Sequence, residues 1–260
     1  MRLGLVTYNL AADWDLDKII EMCTIHGHEG VELRTTHAHG VEVNLSEKER
    51  TVVRKKFESS AVELAGLGSA FQYHYRDPEE VRRNIEGTKE YARLAADVGA
   101  PGVKVRPNAL LIDDGVPEEE TLQQIGRSLA ECGEYAATLG IQVRLEVHGH
   151  LTSDPKRIAR ILQHCGHPNV FVCWNSNDAD LVDGSIEESF NLLADRITLV
   201  HMRDLAAPGY PWLDLLRSLR RMDYGGFCLC EIDPNEQPDR IMDFNKALWD
   251  AYNRIIDLED

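Results

Sequence analysis

Four polar side chains stand at the ends of four successive short apolar runs in the second half of the chain. Glu146 lies in Val143-Arg144-Leu145-Glu146-Val147-His148, Asn175 in Val172-Cys173-Trp174-Asn175, His201 in Leu199-Val200-His201-Met202-Arg203-Asp204 and Glu231 in Cys228-Leu229-Cys230-Glu231. Alternate residues of a strand share a face: Glu146 stands on the opposite parity from Val143, Leu145 and Val147, while Asn175 is in phase with Cys173, His201 with Leu199, and Glu231 with Leu229. Further ionisable residues end earlier runs in the same way: Glu32 and Arg34, then Lys104 and Arg106. Burying unpaired charge is expensive, so this arrangement has a purpose. Two carboxylates, one imidazole and one amide oxygen converging from four strands make a site for one divalent cation, Mn²⁺, Mg²⁺, Co²⁺ or Zn²⁺. The competing reading is structural, an internal salt-bridge network of Glu32, Arg34, Lys104, Arg106 and Arg144.

Convergence requires that the runs be strands of one sheet. Eight runs are present: Leu3 to Tyr8, Gly30 to Arg34, Glu63 to Gly68, Gly102 to Arg106, Gln142 to His148, Val170 to Trp174, Ile197 to His201 and Phe227 to Ile232. Amphipathic segments separate them and one follows the last. Their punctuation fits helices: Ser46-Glu47-Lys48-Glu49 is a capping-box pattern, Pro78 and Pro155 suit a first helical position after Asp, and Gly140 suits a left-handed C-cap. The runs start about every 32 residues, with no linker or low-complexity tract between them. Eight unbroken β-α units predict a single-domain α/β fold over 1–260, the (β/α)8 TIM barrel, with its active site at the C-terminal ends of the strands. A doubly wound open sheet is disfavoured, because the first turn, Asn9-Leu10-Ala11-Ala12-Asp13, lacks the glycine fingerprint of that fold.

Composition narrows the partners. The 260 residues include 44 acidic and 28 basic side chains, a formal net charge of −16, and 43% are hydrophobic. The hydrophobic share excludes a disordered chain. A strongly acidic surface disfavours nucleic acid. No apolar run is long enough to span a membrane, and none at the N-terminus reads as a secretory signal. The six cysteines form no C-x-x-C pair and are expected as reduced, mostly buried thiols of a cytoplasmic protein.

At these residues the sequence resembles the xylose-isomerase-like barrels, a superfamily of sugar isomerases and epimerases that also includes endonuclease IV. The resemblance rests on Leu145-Glu146-Val147-His148, Cys173-Trp174-Asn175, His201-Met202-Arg203-Asp204 and, most specifically, Tyr224-Gly225-Gly226 leading into the strand that ends in Glu231. It covers the chain in order and spacing. It implies one divalent metal held by Glu146, Asn175, His201 and Glu231, with Asn175 where the family usually has Asp and Asp178 where it often has His. An amide brings no charge, so the shell has two negative charges rather than three unless Asp178 folds inward. The resemblance also implies an acid/base pair, Glu146 and Glu231, that moves a proton beside a carbonyl polarised by the metal. His148 and Arg203, one inward step further on, become substrate contacts together with Asp178, Lys104, Arg106 and Glu32.

The expected activity is a metal-dependent isomerase or epimerase of carbohydrate metabolism acting on a small sugar or keto-polyol. A dehydratase or other lyase on a similar polyhydroxy carbonyl compound is the alternative, followed by a barrel that has lost its metal and serves binding or regulation. Abasic-site endonuclease activity is disfavoured: Leu205 to Trp212 lacks the Asp-x-His pair of that branch, and His37, His39 and His74 leave the ligand set incomplete. His37 and His39 read as a lid or a solvated loop, and His164 and His167 as caps or surface residues. Phe71, Tyr73, His74 and Tyr75 form an aromatic loop that covers substrate or joins copies of the chain into a homo-oligomer. Trp174 reads as core, and Tyr210 and Trp212 as rings at the mouth placed to stack on a sugar.

Overall fold

A computed structural model describes residues 1–259. Eight parallel strands close into a barrel: β1 (Arg2–Val6), β2 (Gly30–Arg34), β3 (Glu63–Gly68), β4 (Gly102–Val105), β6 (Gln142–Glu146), β8 (Val170–Asn175), β9 (Ile197–Met202) and β10 (Phe227–Cys230). Two-residue strands β5 (Asn108–Ala109) and β7 (Gly149–His150) pair outside it. Eight α-helices surround the barrel: α1 (Leu16–Ile25), α2 (Glu47–Glu58), α3 (Pro78–Val98), α4 (Glu118–Ala137), α5 (Pro155–Cys165), α6 (Glu187–Leu193), α7 (Trp212–Arg221) and α8 (Pro238–Asp257). This is the (β/α)8 TIM barrel that the spacing predicts.

Local chemistry sets the helix starts. Ser46 and Glu49 form the capping box of α2, and Asp77 and Asp154 cap α3 and α5 with Pro at the first helical position. Gly99 and Gly166 take left-handed C-caps. Gly140 is also left-handed, at φ 70°, but α4 already ends on Thr138 and the glycine lies beyond the cap.

Strand parity sorts the side chains into two layers. The main core lies between barrel and helices and holds Val143, Leu145, Trp174, Val200 and Cys230. Inside the barrel a separate small cluster of Val6, Ala65, Cys173, Leu199, Phe227 and Leu229 fills the axis. Arg144 joins that layer, donating to Ala65 O at 2.7 Å and Gln142 Oε1 at 3.0 Å. Glycines face the bulky groups: a Cβ on Gly4 would lie 2.4 Å from Leu229, one on Gly30 2.4 Å from Phe227 and one on Gly102 2.7 Å from Arg144. Small against large is how a tapering barrel closes without a pore. The Tyr224-Gly225-Gly226 turn follows the same logic, since Tyr224 packs its ring over Gly226 and donates to Phe227 O at 2.9 Å.

The β5–β7 ladder is absent from the sequence reading. Two residues cannot carry a periodic pattern. The ladder ties together the loops that follow β4 and β6, which bear Arg106 and His148. Gly149 permits it, with φ 102° and its Cα against the Asn108 carbonyl, where a Cβ would lie 2.1 Å from the oxygen.

Candidate active site

Glu146 ends β6, His201 lies near the end of β9 and Glu231 directly follows β10. Their donor atoms lie within 4.8 Å of one another. His201 Nδ1 is 3.1 Å from Glu146 Oε1 and 3.9 Å from Glu231 Oε2. The other ring nitrogen, Nε2, sits 3.3 Å from Glu32 Oε1 without hydrogen-bond alignment. Lys104 Nζ donates to Glu146 Oε2 at 2.8 Å. Glu32, Lys104, Glu146 and His201 are all buried.

This charge cluster is mutually dependent. Burial alone would raise the Glu146 pKa, but Lys104 and His201 outweigh it and hold the carboxyl well below its usual range. Burial raises the Glu231 pKa, and His201, 3.9 Å away, offsets that only in part. Lys104 is held above its ordinary value because Glu146 and Glu32 outweigh its desolvation. Burial opposes charge on His201, yet the Cys173 sulfur and the Glu32 and Glu146 carboxylates together raise its pKa well above the usual histidine range. The two carboxylates thus sit on opposite sides of their common starting value, which is how a proton-transfer pair divides its roles.

The donor set fits a divalent cation. Two carboxylate oxygens and a ring nitrogen converge, Glu32 lies behind the imidazole on its far nitrogen as an orienting carboxylate does, and a cation in their midst would release the His201 proton. Asn175 pairs in register with His201, is buried, and lines the adjoining cleft beside Glu231. Asp178 does not fold inward. It starts a 3-10 turn, Asp178–Asp180, and its side chain is 89% exposed and accepts from Arg203 Nη2 at 3.1 Å. Charge on the donor set therefore comes from two carboxylates.

Two connected spaces open on the cluster. The inner cavity, about 80 Å³, is lined by Tyr8, Arg34, Lys104, Arg106, Glu146, His148, His201 and Glu231. The outer cleft, about 510 Å³, includes Tyr8, His148, Asn175, Asp178, Arg203 and Glu231. Sequence reasoning brought Lys104, Arg106, His148, Asp178 and Arg203 to these walls. It misplaced Glu32, which is fully buried against His201 and lines neither space. It passed over Tyr8, although Tyr8 shares the inward parity of Val6. Arg34, read only as part of a structural network, also lines the inner wall.

Other expectations resolve plainly. Tyr210 and Trp212 are buried and do not face a ligand: the Tyr210 hydroxyl bridges Trp174 Nε1 at 3.1 Å and Asp180 Oδ2 at 2.8 Å. Bulky rings beside a helix start are drawn into the core, and Trp212 begins α7. Trp174 is core, edge-on to Phe190. His37 stacks on Tyr8 at the rim and meets Thr7 Oγ1 at 2.9 Å. His164 pairs with Glu119 at 2.7 Å, and His167 accepts from Asn169 N at 3.1 Å. Arg203 pairs with Asp178 rather than its neighbour Asp204. All six cysteines are buried free thiols. No helix among the described residues is long and apolar enough to cross a membrane. A further cleft, about 490 Å³, opens among the N-terminal ends of the strands around Arg2, Glu63 and Phe227, the end of a barrel associated with stability rather than catalysis.

Comparison with known proteins agrees with this architecture. A family profile described as xylose isomerase-like TIM barrel matches residues 20–248. No curated protein sequence matches the chain significantly. Among solved structures, the IOLI protein with a bound zinc atom superposes with a TM-score of 0.77 at 16% identity, covering 98% of both chains. The 3-keto-D-glucoside 4-epimerase YcjR from E. coli gives 0.79 at 14% identity, covering 98% of this chain and 99% of that one. The probable 3-DHS dehydratase AsbF from Bacillus anthracis gives 0.74 at 14%, covering 96% and 99%.

Proposed function

The chain belongs to the xylose isomerase-like TIM barrel family, and on that premise we propose that it is a divalent-metal-dependent isomerase or epimerase of a small sugar or keto-polyol. One observation carries the reading: Glu146, His201 and Glu231 converge at the C-terminal mouth, and the two carboxylates are driven to opposite proton affinities. Glu146, Asn175, His201 and Glu231 would hold the cation. When bound, Mn²⁺, Mg²⁺, Co²⁺ or Zn²⁺ supplies polarisation of the substrate carbonyl.

The chain's own groups do the rest. Glu231, with its raised pKa, is the readier base for the proton on the carbon beside the carbonyl. Glu146 serves the other face of that carbon, passing on a proton drawn from the Lys104 ammonium that donates to its Oε2. Glu32 positions the His201 ring. His148, Arg106 and Arg203 orient substrate from the walls, and Asp178 holds Arg203 at the rim.

Incubating the protein with Mn²⁺ and a panel of ketoses in D₂O tests the proposal. Proton NMR should show deuterium entering the carbon next to the carbonyl, with the epimer or isomer forming. Glu231→Gln should reduce exchange by at least about a hundredfold and leave the thermal transition in place. Wild-type exchange in that variant would remove Glu231 from the chemistry. A dehydratase is the second reading, supported by the fold shared with the probable 3-DHS dehydratase; its product would lack a hydroxyl group. No calorimetric signal with Mn²⁺ would favour a metal-free binding barrel.

A further inference from the structure

The inner wall carries more positive charge than proton transfer on a neutral sugar needs. Arg34 ends β2 and Arg106 follows β4, and both line the inner cavity with His148 and Tyr8. The two guanidiniums are close enough for Arg34 to depress the pKa of Arg106. In a chain with 44 acidic residues, neither guanidinium has a carboxylate within ion-pair distance among the described residues. Their hydrogen bonds are to backbone carbonyls at the long end of the range: Arg34 Nη1 to Thr35 O at 3.3 Å and Arg106 Nη2 to Ala70 O at 3.3 Å. Arg106 Nε and His148 Nδ1 are buried with no partner at all.

Unpartnered buried donors cost stability unless something returns the bond. Two half-buried guanidiniums lining one cavity cost more, because each repels the other. The neighbouring carboxylates relieve them only in part: the Glu146 charge is felt at Arg106, but Glu146 makes its contacts with Lys104 and His201, and Asp178, across the outer cleft, is paired with Arg203. The loop bearing Arg106 is tied by the β5–β7 ladder to the loop bearing His148. These donors are therefore held in place before any ligand arrives. A planar fork of N–H groups matches the oxygens of a carboxylate or phosphate.

We infer that Arg34 and Arg106, with His148, form an oxyanion-binding subsite, so that the substrate is an anionic sugar derivative, a sugar acid or a sugar phosphate, rather than a neutral sugar. The inference rests on the reading of the adjoining Glu146 and Glu231 as the reacting centre, and it deepens that reading. The inner cavity holds only a few heavy atoms, and the outer cleft takes the remainder of the molecule.

Calorimetry on the full chain with Mn²⁺ tests this with three ligands of similar size: fructose, fructose 6-phosphate and 2-ketogluconate. One or both anions should bind at least about tenfold tighter than fructose, and added salt should erode the difference. Whichever anion wins identifies the headgroup. The double variant Arg34→Gln/Arg106→Gln should keep its thermal transition and lose the preference to within about twofold. Equal binding of all three ligands, no binding of either anion, or an undiminished preference in the double variant would overturn the subsite. Deuterium exchange by the wild type and Glu231→Gln on the same ligands separates the two readings. Exchange without anion preference sinks only the subsite, and anion preference without exchange sinks only the isomerase.

Discussion

Lys104 and Glu146 face each other at 2.8 Å, both almost completely buried. Such a pair is worth little relative to a well-packed apolar pair, but removing one partner leaves the other charge stranded. Lys104→Met keeps most of the side-chain volume and removes only the ammonium. Glu146 would then have His201 as its sole close counter-charge. The variant should lose about 3–5 kcal/mol of unfolding free energy in urea. Lys104→Met combined with Glu146→Gln should recover a large part of that loss, because the stranded charge is gone. A double variant as unstable as the single would show that shape, not charge, is what Lys104 contributes. The same pairing explains how a buried lysine coexists with a cation-binding donor set: it neutralises the carboxylate oxygen that His201 and Glu231 do not face.

The strands decide which of these groups can meet. Gly4 on β1 pairs in register with Gly30 on β2 and Leu229 on β10, and a Cβ there would lie 2.5 Å from the Gly30 carbonyl oxygen. Backbone cannot step aside as a side-chain tip can, so Gly4→Ala should cost about 1–3 kcal/mol by thermal or urea unfolding. Gly225→Ala meets nothing within 4 Å and is the matched control, expected near zero. Equal effects of the two would mean the barrel can widen. This element scale is also where the sequence was most legible. Eight strands and eight helices emerge from alternating periodicities, and parity alone brought Glu146, His201 and Glu231 to one place. Legibility ends where contacts depend on the register of strands distant in sequence. Nothing in Val31-Glu32-Leu33 says that Glu32 stops beneath His201 instead of reaching the cleft. Asp178 and Tyr210 sit in loops, and their directions follow from a 3-10 turn and a Trp174–Tyr210–Asp180 chain of hydrogen bonds that no periodic pattern encodes.

At the scale of the molecule, a net charge of −16 leaves stability dependent on which groups burial forces to change their protonation. Two of these lie far apart and act in opposite directions. Asp180 is buried, and its pKa is pushed up to about 7, with hydrogen bonds from Asn177 N and Tyr210 only partly offsetting the burial. A folded-state carboxyl raised above its unfolded value of 3.8 binds more protons folded than unfolded, so its contribution falls as pH rises from about 4 to about 7. His28, in the turn before β2, is depressed by burial to about 4 from 6.5. It must fold neutral, so its contribution is complete above pH 6.5 and falls as pH drops toward 4. The shifts correspond to at most about 4.5 kcal/mol for Asp180 and about 3.5 kcal/mol for His28, and over the shared window their slopes oppose each other. Replacing one at a time exposes the other. Relative to wild type, Asp180→Asn should gain stability as pH rises from 4.5 to 7.5. Against the same reference, His28→Gln should gain as pH falls across that interval. Urea unfolding at three pH values measures both slopes. Differences from wild type that stay constant with pH would mean that neither group titrates in that range, and the opposed pair would then have no part in the acid response of the barrel.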